Sequence, residues 1–351
     1  MKRLIKLLSL WAVPLLLLMG CNHKELCDIH PHEITIRVAF DWVEAPEANP
    51  RGMCVYFYPL DGGSGKRIDF PNRVGGKVNL RVGNYRILCF NNDTEANIFF
   101  NTHSFDSHGV YTREGNVLEP IYGNSANYNP RGEGIDQERV VITPDMMWGC
   151  SAVDVMIADD HVRYTCVPQS ALSRSNSQPQ SSEDSRAGYP ITTNEQVITL
   201  YPHEMVCTYT YEVRNVSNLK HVVDICGTLS GMAGQMTLSS EALSTEPVTL
   251  PFETYSDGVS TLTGRFYTFG HHAENLDPHT MTFYVVMDDG TKLCYTGGKN
   301  LDVTQQVHEA PDFRHDHLII DGLDLPQPIE NGHGFKPGVD DWGVVEEDII
   351  M

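Results

Sequence analysis

The sequence lacks a cluster of basic residues beyond its first few positions. Lys and Arg together number 25 against 46 Asp and Glu, which gives a formal net charge of −21 and a pI near 5.0. Proteins that bind nucleic acids neutralise phosphates with grouped Lys and Arg side chains. The composition therefore argues against DNA or RNA as a partner, and the dispersed acidity is typical of a solvated surface.

Recognisable catalytic motifs are also lacking. The sequence contains no G-x-S-x-G elbow, and the stretch from Gly62 to Lys66 lacks the GxxxxGK[ST] spacing of a phosphate loop. A hairpin turn explains that stretch better. We therefore expect no enzyme activity and no cofactor. An exported hydrolase with paired carboxylates stays open as an alternative, because such spacing belongs to the fold and not to the sequence.

None of the nine cysteines forms a CxxC pair. Cys21 and Cys27 lie near the amino terminus, and several of the others lie in apolar runs, where a small buried thiol is the common explanation. An oxidising compartment would permit one or two disulfides, whose connectivity the spacing does not reveal. The remaining seven are Cys54, Cys89, Cys150, Cys166, Cys207, Cys226 and Cys294.

The amino terminus has no apolar run long enough to cross a membrane. Its apolar stretch covers about 13 residues after three basic ones, whereas a spanning helix needs about 20. Gly20 and Cys21 follow directly, which resembles the cleavage site of bacterial lipoproteins. We predict a signal peptide over residues 1–20, cleavage between Gly20 and Cys21, and a lipid on Cys21 that anchors the chain to a membrane. A plain secretion signal is the alternative.

Period-two alternation dominates the rest of the chain and predicts an all-β protein. Residues 33–43 alternate apolar and polar, and short apolar runs separated by Gly, Pro and Asp continue the series. Asp289-Gly290 predicts a tight hairpin turn. The only helical signal is one short turn at Met146–Gly149. Further strands are predicted at 53–58, 67–70, 77–82, 84–90, 196–201, 206–213, 222–229, 248–252, 261–269, 280–287, 292–296, 317–320 and 344–350.

Two domains are predicted from the length and the strand clusters. A lipidated leader covers residues 21–32, an amino-terminal β-sandwich covers 33–190, and a carboxyl-terminal β-sandwich with an acidic tail covers 191–351. The polar, Ser-rich stretch 168–188 has little to bury and is predicted as a loop. The boundary falls somewhere within 150–220.

Seven short motifs carry a family resemblance: Phe40–Trp42, Gly52–Pro59, Gly83–Leu88, Phe90–Glu95, Leu229–Gly234, Thr268–Gly270 and Val339–Trp342. They resemble the fimbrillin-like lipoproteins of the Bacteroidales, which include fimbrial anchor and accessory subunits. The resemblance implies two tandem transthyretin-like, Greek-key β-sandwich domains and assembly with fimbrillin-like pilin subunits through β-strand addition. It also implies a location on the outer membrane, lipid-anchored and exposed at the surface.

The remaining site predictions concern partners and metals. Trp342 and Phe335, in the acidic tail, are the candidate partner-contact residues, and a surface glycan is the alternative ligand for a lipoprotein of this kind. Histidines group at His30/His32, His271/His272 and His315/His317, the last with Asp312 or Asp316 nearby. Solvent-facing loop histidines explain these groups better than zinc, which wants three or four converging ligands, so we predict no metal site.

Overall fold

The computed structural model describes residues 33–123, 138–158, 162–163, 191–192, 196–328 and 343–346. Strands make up most of these residues, and the helices are single turns: α1 (Glu119–Tyr122), α2 (Gly298–Leu301), α3 (Thr304–His308) and a 3-10 turn (Leu219–His221). The strands are β1 (Glu33–Phe40), β2 (Met53–Pro59), β3 (Lys66–Phe70), β4 (Gly75–Arg81), β5 (Gly83–Asn91), β6 (Asn97–Phe100), β7 (Gly109–Thr112), β8 (Arg139–Val140), β9 (Trp148–Ile157), β10 (Val162–Arg163), β11 (Ile191–Thr192), β12 (Val197–Leu200), β13 (His203–Glu204), β14 (Cys207–Ser217), β15 (Val222–Ala233), β16 (Gln235–Thr237), β17 (Pro247–Glu253), β18 (Tyr255–Ser256), β19 (Leu262–Thr268), β20 (Met281–Met287), β21 (Lys292–Thr296), β22 (His315–Asp324) and β23 (Gly343–Glu346).

The amino-terminal sandwich consists of two sheets, with strand orders β12-β1-β4 and β13-β9-β5-β2-β3. In β1 every second residue is buried, as the alternation predicts, and Ile36 and Val38 pack against Val55 and Ile87 from the second sheet. Strand β12 pairs in parallel with β1, although it lies on the carboxyl-terminal side of residue 191. The division into domains at that residue stays a prediction.

The carboxyl-terminal sandwich also has two sheets, with orders β18-β19-β14-β22 and β23-β21-β20-β15-β17-β8. Tyr209 and Tyr211 of the first sheet are buried against Phe252, Phe266 and Phe283. The all-β prediction is confirmed. The predicted hairpin between β20 and β21 is also present, but its loop has four residues, with Gly290 at a positive φ of 83°.

A third apolar cluster, the central core, joins the two sandwiches. It lies between the outer face of β2 and β5 and the small sheet β16-β7-β6. The cluster explains why β2 is buried on both faces, unlike the alternating β1. Its members include Tyr56, Tyr58, Phe90, Val206, Met236 and Phe269.

The helical turn predicted at Met146–Gly149 is wrong. Trp148 begins the ten-residue strand β9, and Gly149 pairs with Phe90 of β5. A Cβ on Gly149 would lie 2.4 Å from the carbonyl oxygen of Cys89, so only glycine permits this close strand approach. A short apolar run cannot distinguish a turn from a strand by periodicity alone.

Candidate functional site

The predicted lipid site and partner-contact residues lie outside the described part of the chain. Gly20 and Cys21 precede residue 33, and Phe335 and Trp342 fall in the gap between residues 328 and 343. Among the described residues no helix has the length and apolar character required to cross a bilayer. In the described part of the chain, the surfaces on which a partner could bind are the sheet edges and clefts of the two sandwiches.

One edge of the six-stranded sheet is occupied by the tail of the chain. Strand β23 pairs in parallel with β21 through four consecutive residue pairs, from Leu293↔Gly343 to Thr296↔Glu346. The preceding residue in the sequence is Trp342, the predicted contact residue. Without β23, the backbone N–H and C=O groups of β21 on this side would form an open edge, the kind of surface that accepts an added strand.

The four-stranded sheet ends on a long edge strand, β22, which pairs in parallel with β14 over most of its ten residues. Its outer side is partly covered by the short helices. The side-chain amide of Gln306 in α3 donates to the carbonyl of Ile319 at 2.9 Å and accepts from the Ile319 N–H at 2.8 Å. Gln306 thereby satisfies both backbone groups as a neighbouring strand would, and it protects this edge.

A charge network lies where the two sandwiches meet. It consists of His203, Glu204, Glu241, Arg314 and His315. Glu241 accepts a hydrogen bond from Nε2 of His203 at 2.6 Å and one from Arg314 at 2.7 Å, and Nε2 of His315 lies 2.8 Å from Glu204. Because β13 carries His203 and Glu204 into the amino-terminal sandwich while Arg314 and His315 lead into β22, the network connects both halves.

Ionisation in this network is coupled. The hydrogen bond to Glu241 raises the pKa of His203, and the hydrogen bond to Asp312 raises the pKa of His315. Burial acts to raise the pKa of Glu241, but the hydrogen bonds from His203 and Arg314 outweigh burial and lower it. Each shift favours the charged form of its group, imidazolium for the histidines and carboxylate for Glu241, and the attraction between these forms favours the joined arrangement of the halves.

One cleft borders the network, and a second cleft adjoins the first through shared residues. A cleft of about 640 Å³ is lined by Glu44, Trp148, His203 and Arg314, among others. A second, of about 570 Å³, is lined by Glu253, Tyr255 and Phe266, and Arg265 and Tyr267 contribute to both. Tyr255 is 59% exposed. An exposed tyrosine beside carboxylates and an arginine offers a face on which a sugar ring can stack while its hydroxyls form hydrogen bonds.

The predicted histidine groups are engaged in ordinary contacts. His315 bonds Asp312 through Nδ1 at 2.9 Å and Glu204 through Nε2, so both of its ring nitrogens have carboxylate partners. His317 bonds the Thr210 hydroxyl at 2.9 Å. His30 and His32 precede the described residues. Within the described ranges, no three His, Cys, Asp or Glu side chains are arranged to hold a metal ion.

The fold brings His271, a member of the second predicted histidine group, together with His279 and His308 in a cluster that the sequence analysis did not predict. His279 is buried, His271 is partly buried and His308 is exposed. His271 and His308 stack with ring centroids 4.9 Å apart, and Nε2 of His279 lies 3.1 Å from Nε2 of His308. Burial lowers the pKa of His279 to about 4 and also lowers that of His271. No sequence signal predicts this cluster, because its members come from three separate segments. The roles of Gln306 at the β22 edge and of Glu241 in the charge network were also not predicted, because their partners are distant in the sequence.

Comparison with known proteins identifies relatives of similar sequence and fold. A family model described as a domain of unknown function, DUF5119, matches residues 20–253. A protein of Bacteroides ovatus provisionally named fimbrium anchoring subunit Fim4B is 26% identical over 136 residues, which are 38% of this chain and 36% of that protein. The matched segment is thus about a third of that relative's length.

A crystal structure from Bacteroides ovatus, provisionally described as an adhesin, has a similar fold. It aligns with a TM-score of 0.55 and 17% identity, covering 89% of this chain and 99% of the other. At this identity the match supports the fold alone. Together, the matches confirm the predicted resemblance to fimbrial proteins of the Bacteroidales.

Proposed function

The chain belongs to the DUF5119 family, and we propose that it is a non-enzymatic outer-membrane lipoprotein that anchors or assists a fimbria-like surface fibre. The lipid on Cys21 would attach it to the membrane, and a pilin subunit would add a strand to its carboxyl-terminal sandwich. The name of the Bacteroides ovatus relative, a fimbrium anchoring subunit, supports this role. The family match begins at residue 20, beside the predicted cleavage site, which supports a mature protein starting at Cys21.

The observation that carries the assembly proposal is the pairing of β23 on β21. This strand is short, parallel and at a sheet edge, and residues 325–342 separate it in sequence from β22. A strand held by four residue pairs is exchanged more easily than a central one, because fewer hydrogen bonds must break. We place the pilin-binding edge at β21, where an incoming extended segment takes the position of β23. Head-to-tail addition of this kind does not close and therefore extends a filament.

Locking β23 in place tests this edge. Thr296 and Glu346 are directly paired, so Thr296→Cys combined with Glu346→Cys brings two thiols to the separation that a disulfide requires. The tagged variant is purified from its native cells in mild detergent, and its partners are separated on a gel with and without boiling. We expect the oxidised double variant to lose the boiling-sensitive fimbrillin ladder that the unmodified protein carries, and reduction before assembly to restore it.

Thr296→Cys alone is the matched control, because it changes the same edge but cannot form the lock. It should retain the ladder under both conditions. Recovery of an undiminished ladder from the oxidised double variant, with the disulfide verified by mass spectrometry, would show that β21 is not the assembly edge. Recovery of the unmodified protein alone would argue against the fimbrial role itself.

The lipid anchor has its own test. Cys21→Ser removes the thiol that would carry the lipid, whereas Cys27→Ser removes a neighbouring thiol and leaves Cys21 intact. We expect Cys21→Ser to abolish incorporation of a labelled fatty acid and to deplete the protein from the outer-membrane fraction, with Cys27→Ser unaffected, because acyl chains provide the membrane affinity. Equal labelling of both variants would exclude Cys21 as the lipid site.

A glycan-binding lipoprotein is the second candidate, favoured by the exposed Tyr255 in the 570 Å³ cleft. Here the protein would bind polysaccharide through stacking on Tyr255 and hydrogen bonds to Glu253 and Arg265. In the same purification, a protein free of fimbrillin that is retained on a polysaccharide column would favour this candidate. Tyr255→Ala should then abolish retention.

A further inference from the structure

Two cysteines of the amino-terminal sandwich face each other across adjacent strands. Cys89 in β5 is the direct antiparallel partner of Cys150 in β9, and their sulfur atoms are 3.3 Å apart. A disulfide has an S–S separation of about 2.05 Å, so the sulfurs must approach by roughly 1.2 Å more. A β-bulge lies close by, where Val153 and Asp154 oppose Arg86, and it gives these strands a locally stronger twist.

The two thiols differ in access and in ionisation. Cys89 is 1% exposed inside the amino-terminal core, whereas Cys150 is partly exposed. The hydrogen bond shared with Cys89 lowers the pKa of Cys150, and burial raises the pKa of Cys89. Cys150 is therefore the thiol that an external reagent reaches and the one that forms the thiolate, while Cys89 is placed to attack it from within the core.

We propose that Cys89 and Cys150 are a redox-active pair that forms a cross-strand disulfide by exchange with a small soluble disulfide such as oxidised glutathione. The Cys150 thiolate attacks one glutathione sulfur, forms a mixed disulfide and releases one glutathione thiolate. Cys89 then attacks the Cys150 sulfur as its proton passes to the departing glutathione thiolate, which leaves as the second glutathione thiol. Two cysteine thiols are oxidised by two electrons, and one glutathione disulfide is reduced to two thiols.

The disulfide would act at a mechanically relevant place. It would covalently link β5 to β9, and β9 also pairs with β13, which carries His203 of the charge network. The crosslink would therefore fasten the strand on which the contact between the sandwiches depends. Other thiols are placed differently: Cys207 and Cys226 donate to the backbone carbonyls of Phe269 and Val117. This inference does not depend on the fimbrial role.

The test uses the full chain in buffers of defined oxidised-to-reduced glutathione ratio. After acid quenching and alkylation of free thiols in denaturant, peptides are mapped by mass spectrometry without reduction. We expect a linked Cys89–Cys150 peptide, lighter by two hydrogens than the sum of its parts, to accumulate as the ratio rises. Cys54, Cys207, Cys226 and Cys294 should remain fully alkylated. Absence of the linked peptide at every ratio in folded protein would overturn the proposal.

Two single variants test the order of attack. In Cys89→Ser, Cys150 should stop at the mixed disulfide and carry one glutathione. In Cys150→Ser, the buried Cys89 should carry none, since its partner no longer delivers the disulfide. Cys54→Ser removes a buried thiol from the neighbouring strand β2 and should leave the crosslink unchanged. A glutathione adduct on Cys89 in folded Cys150→Ser would contradict the assigned roles. If a variant fails to fold, the peptide map of the unmodified chain still tests whether the disulfide forms.

Discussion

At the scale of single residues, buried histidines determine how the protein responds to acid. His108 is fully buried, and its Nδ1 lies 2.8 Å from the Tyr58 hydroxyl, which itself donates to the carbonyl of Thr102. Rings of Tyr56, Phe90 and Phe99 surround it. Burial lowers the pKa of His108 from 6.5 to about 4. The folded state therefore holds this histidine neutral in the range where the unfolded chain becomes protonated.

The sign of the resulting pH dependence follows from linkage. Because the folded pKa is depressed, the unfolded state binds the extra proton, and stability falls as pH decreases from about 6.5 to about 4. At pH 5 the loss from His108 is about 2 kcal/mol. We predict that His108→Asn, which can keep the bond to Tyr58, unfolds more easily at pH 7 but loses less stability than the unmodified protein between pH 7 and 5.

Urea unfolding at the two pH values measures this difference. His103→Asn is the control, because His103 is exposed in the same loop, and it should retain the acid sensitivity of the unmodified chain. His279, whose pKa is also lowered to about 4 by burial, remains in both variants, so some acid sensitivity persists. If the unfolding free energy changes equally between pH 7 and pH 5 in all three proteins, His108 is excluded as a source of the acid sensitivity.

At the scale of elements, the edge strand β22 depends on one side chain from α3. Gln306 completes the hydrogen bonds of Ile319, while its neighbour Gln305 reaches only Glu309 on the same turn, at 3.1 Å. We predict that Gln306→Ala lowers the free energy of unfolding by about 1 to 2 kcal/mol, since two hydrogen bonds are lost. The freed edge should also pair between molecules. Denaturant unfolding and light scattering measure the two effects.

Gln305→Ala provides the comparison for this prediction. It removes the same amide from the same helix without touching β22, and it should match the unmodified protein in both denaturant unfolding and light scattering. Matching behaviour of the two alanine variants would mean that the Gln306 hydrogen bonds do not protect the edge.

The elements also show which parts of the fold the sequence determines locally. Strand β21 was predicted to the residue and β2 to within one residue, because alternation and turn residues are local signals, while β1 begins as predicted at Glu33 but ends three residues before the predicted residue 43. Strands β6, β7 and β16 were missed, since they are three or four residues long and are stabilised mainly by the central core. The charge network and the Cys89–Cys150 pair could not be foreseen either, because pairing between distant segments sets their geometry.

At the scale of the whole molecule, the two sandwiches are joined by the central core and by the charge network. Met236 and Phe269 belong to one buried apolar cluster with Tyr56 and Phe90 of the amino-terminal sandwich. Such a large apolar contact favours one rigid body over two independently moving domains. An anchor that transmits force from a fibre to a lipid needs such a connection, so the junction supports the proposed role on mechanical grounds.

Glu241 is the member of the network that tests this connection, because it accepts bonds from His203 and Arg314. We predict that Glu241→Gln lowers the free energy of unfolding by about 1.5 to 3 kcal/mol at pH 6. The hydrogen bond to Glu241 raises the pKa of His203, so this contribution is fully present below the unfolded value and is lost as pH rises through the folded one. The effect of the substitution should therefore shrink as the pH rises through the folded pKa of His203, above which only the bond to Arg314 is still charged at both ends.

Glu44→Gln is the matched control for that measurement. Glu44 is 57% exposed and 3.7 Å from Nδ1 of His203, so its substitution should change stability little at either pH. In a Trp342→Phe background, unfolding should be followed both by tryptophan fluorescence, since Trp42 and Trp148 lie in the amino-terminal sandwich, and by circular dichroism of the whole chain. If Glu241 joins the halves, Glu241→Gln separates these two transitions at pH 6. If the fluorescence and circular dichroism transitions stay coincident although stability is lost, the central core alone joins the two sandwiches.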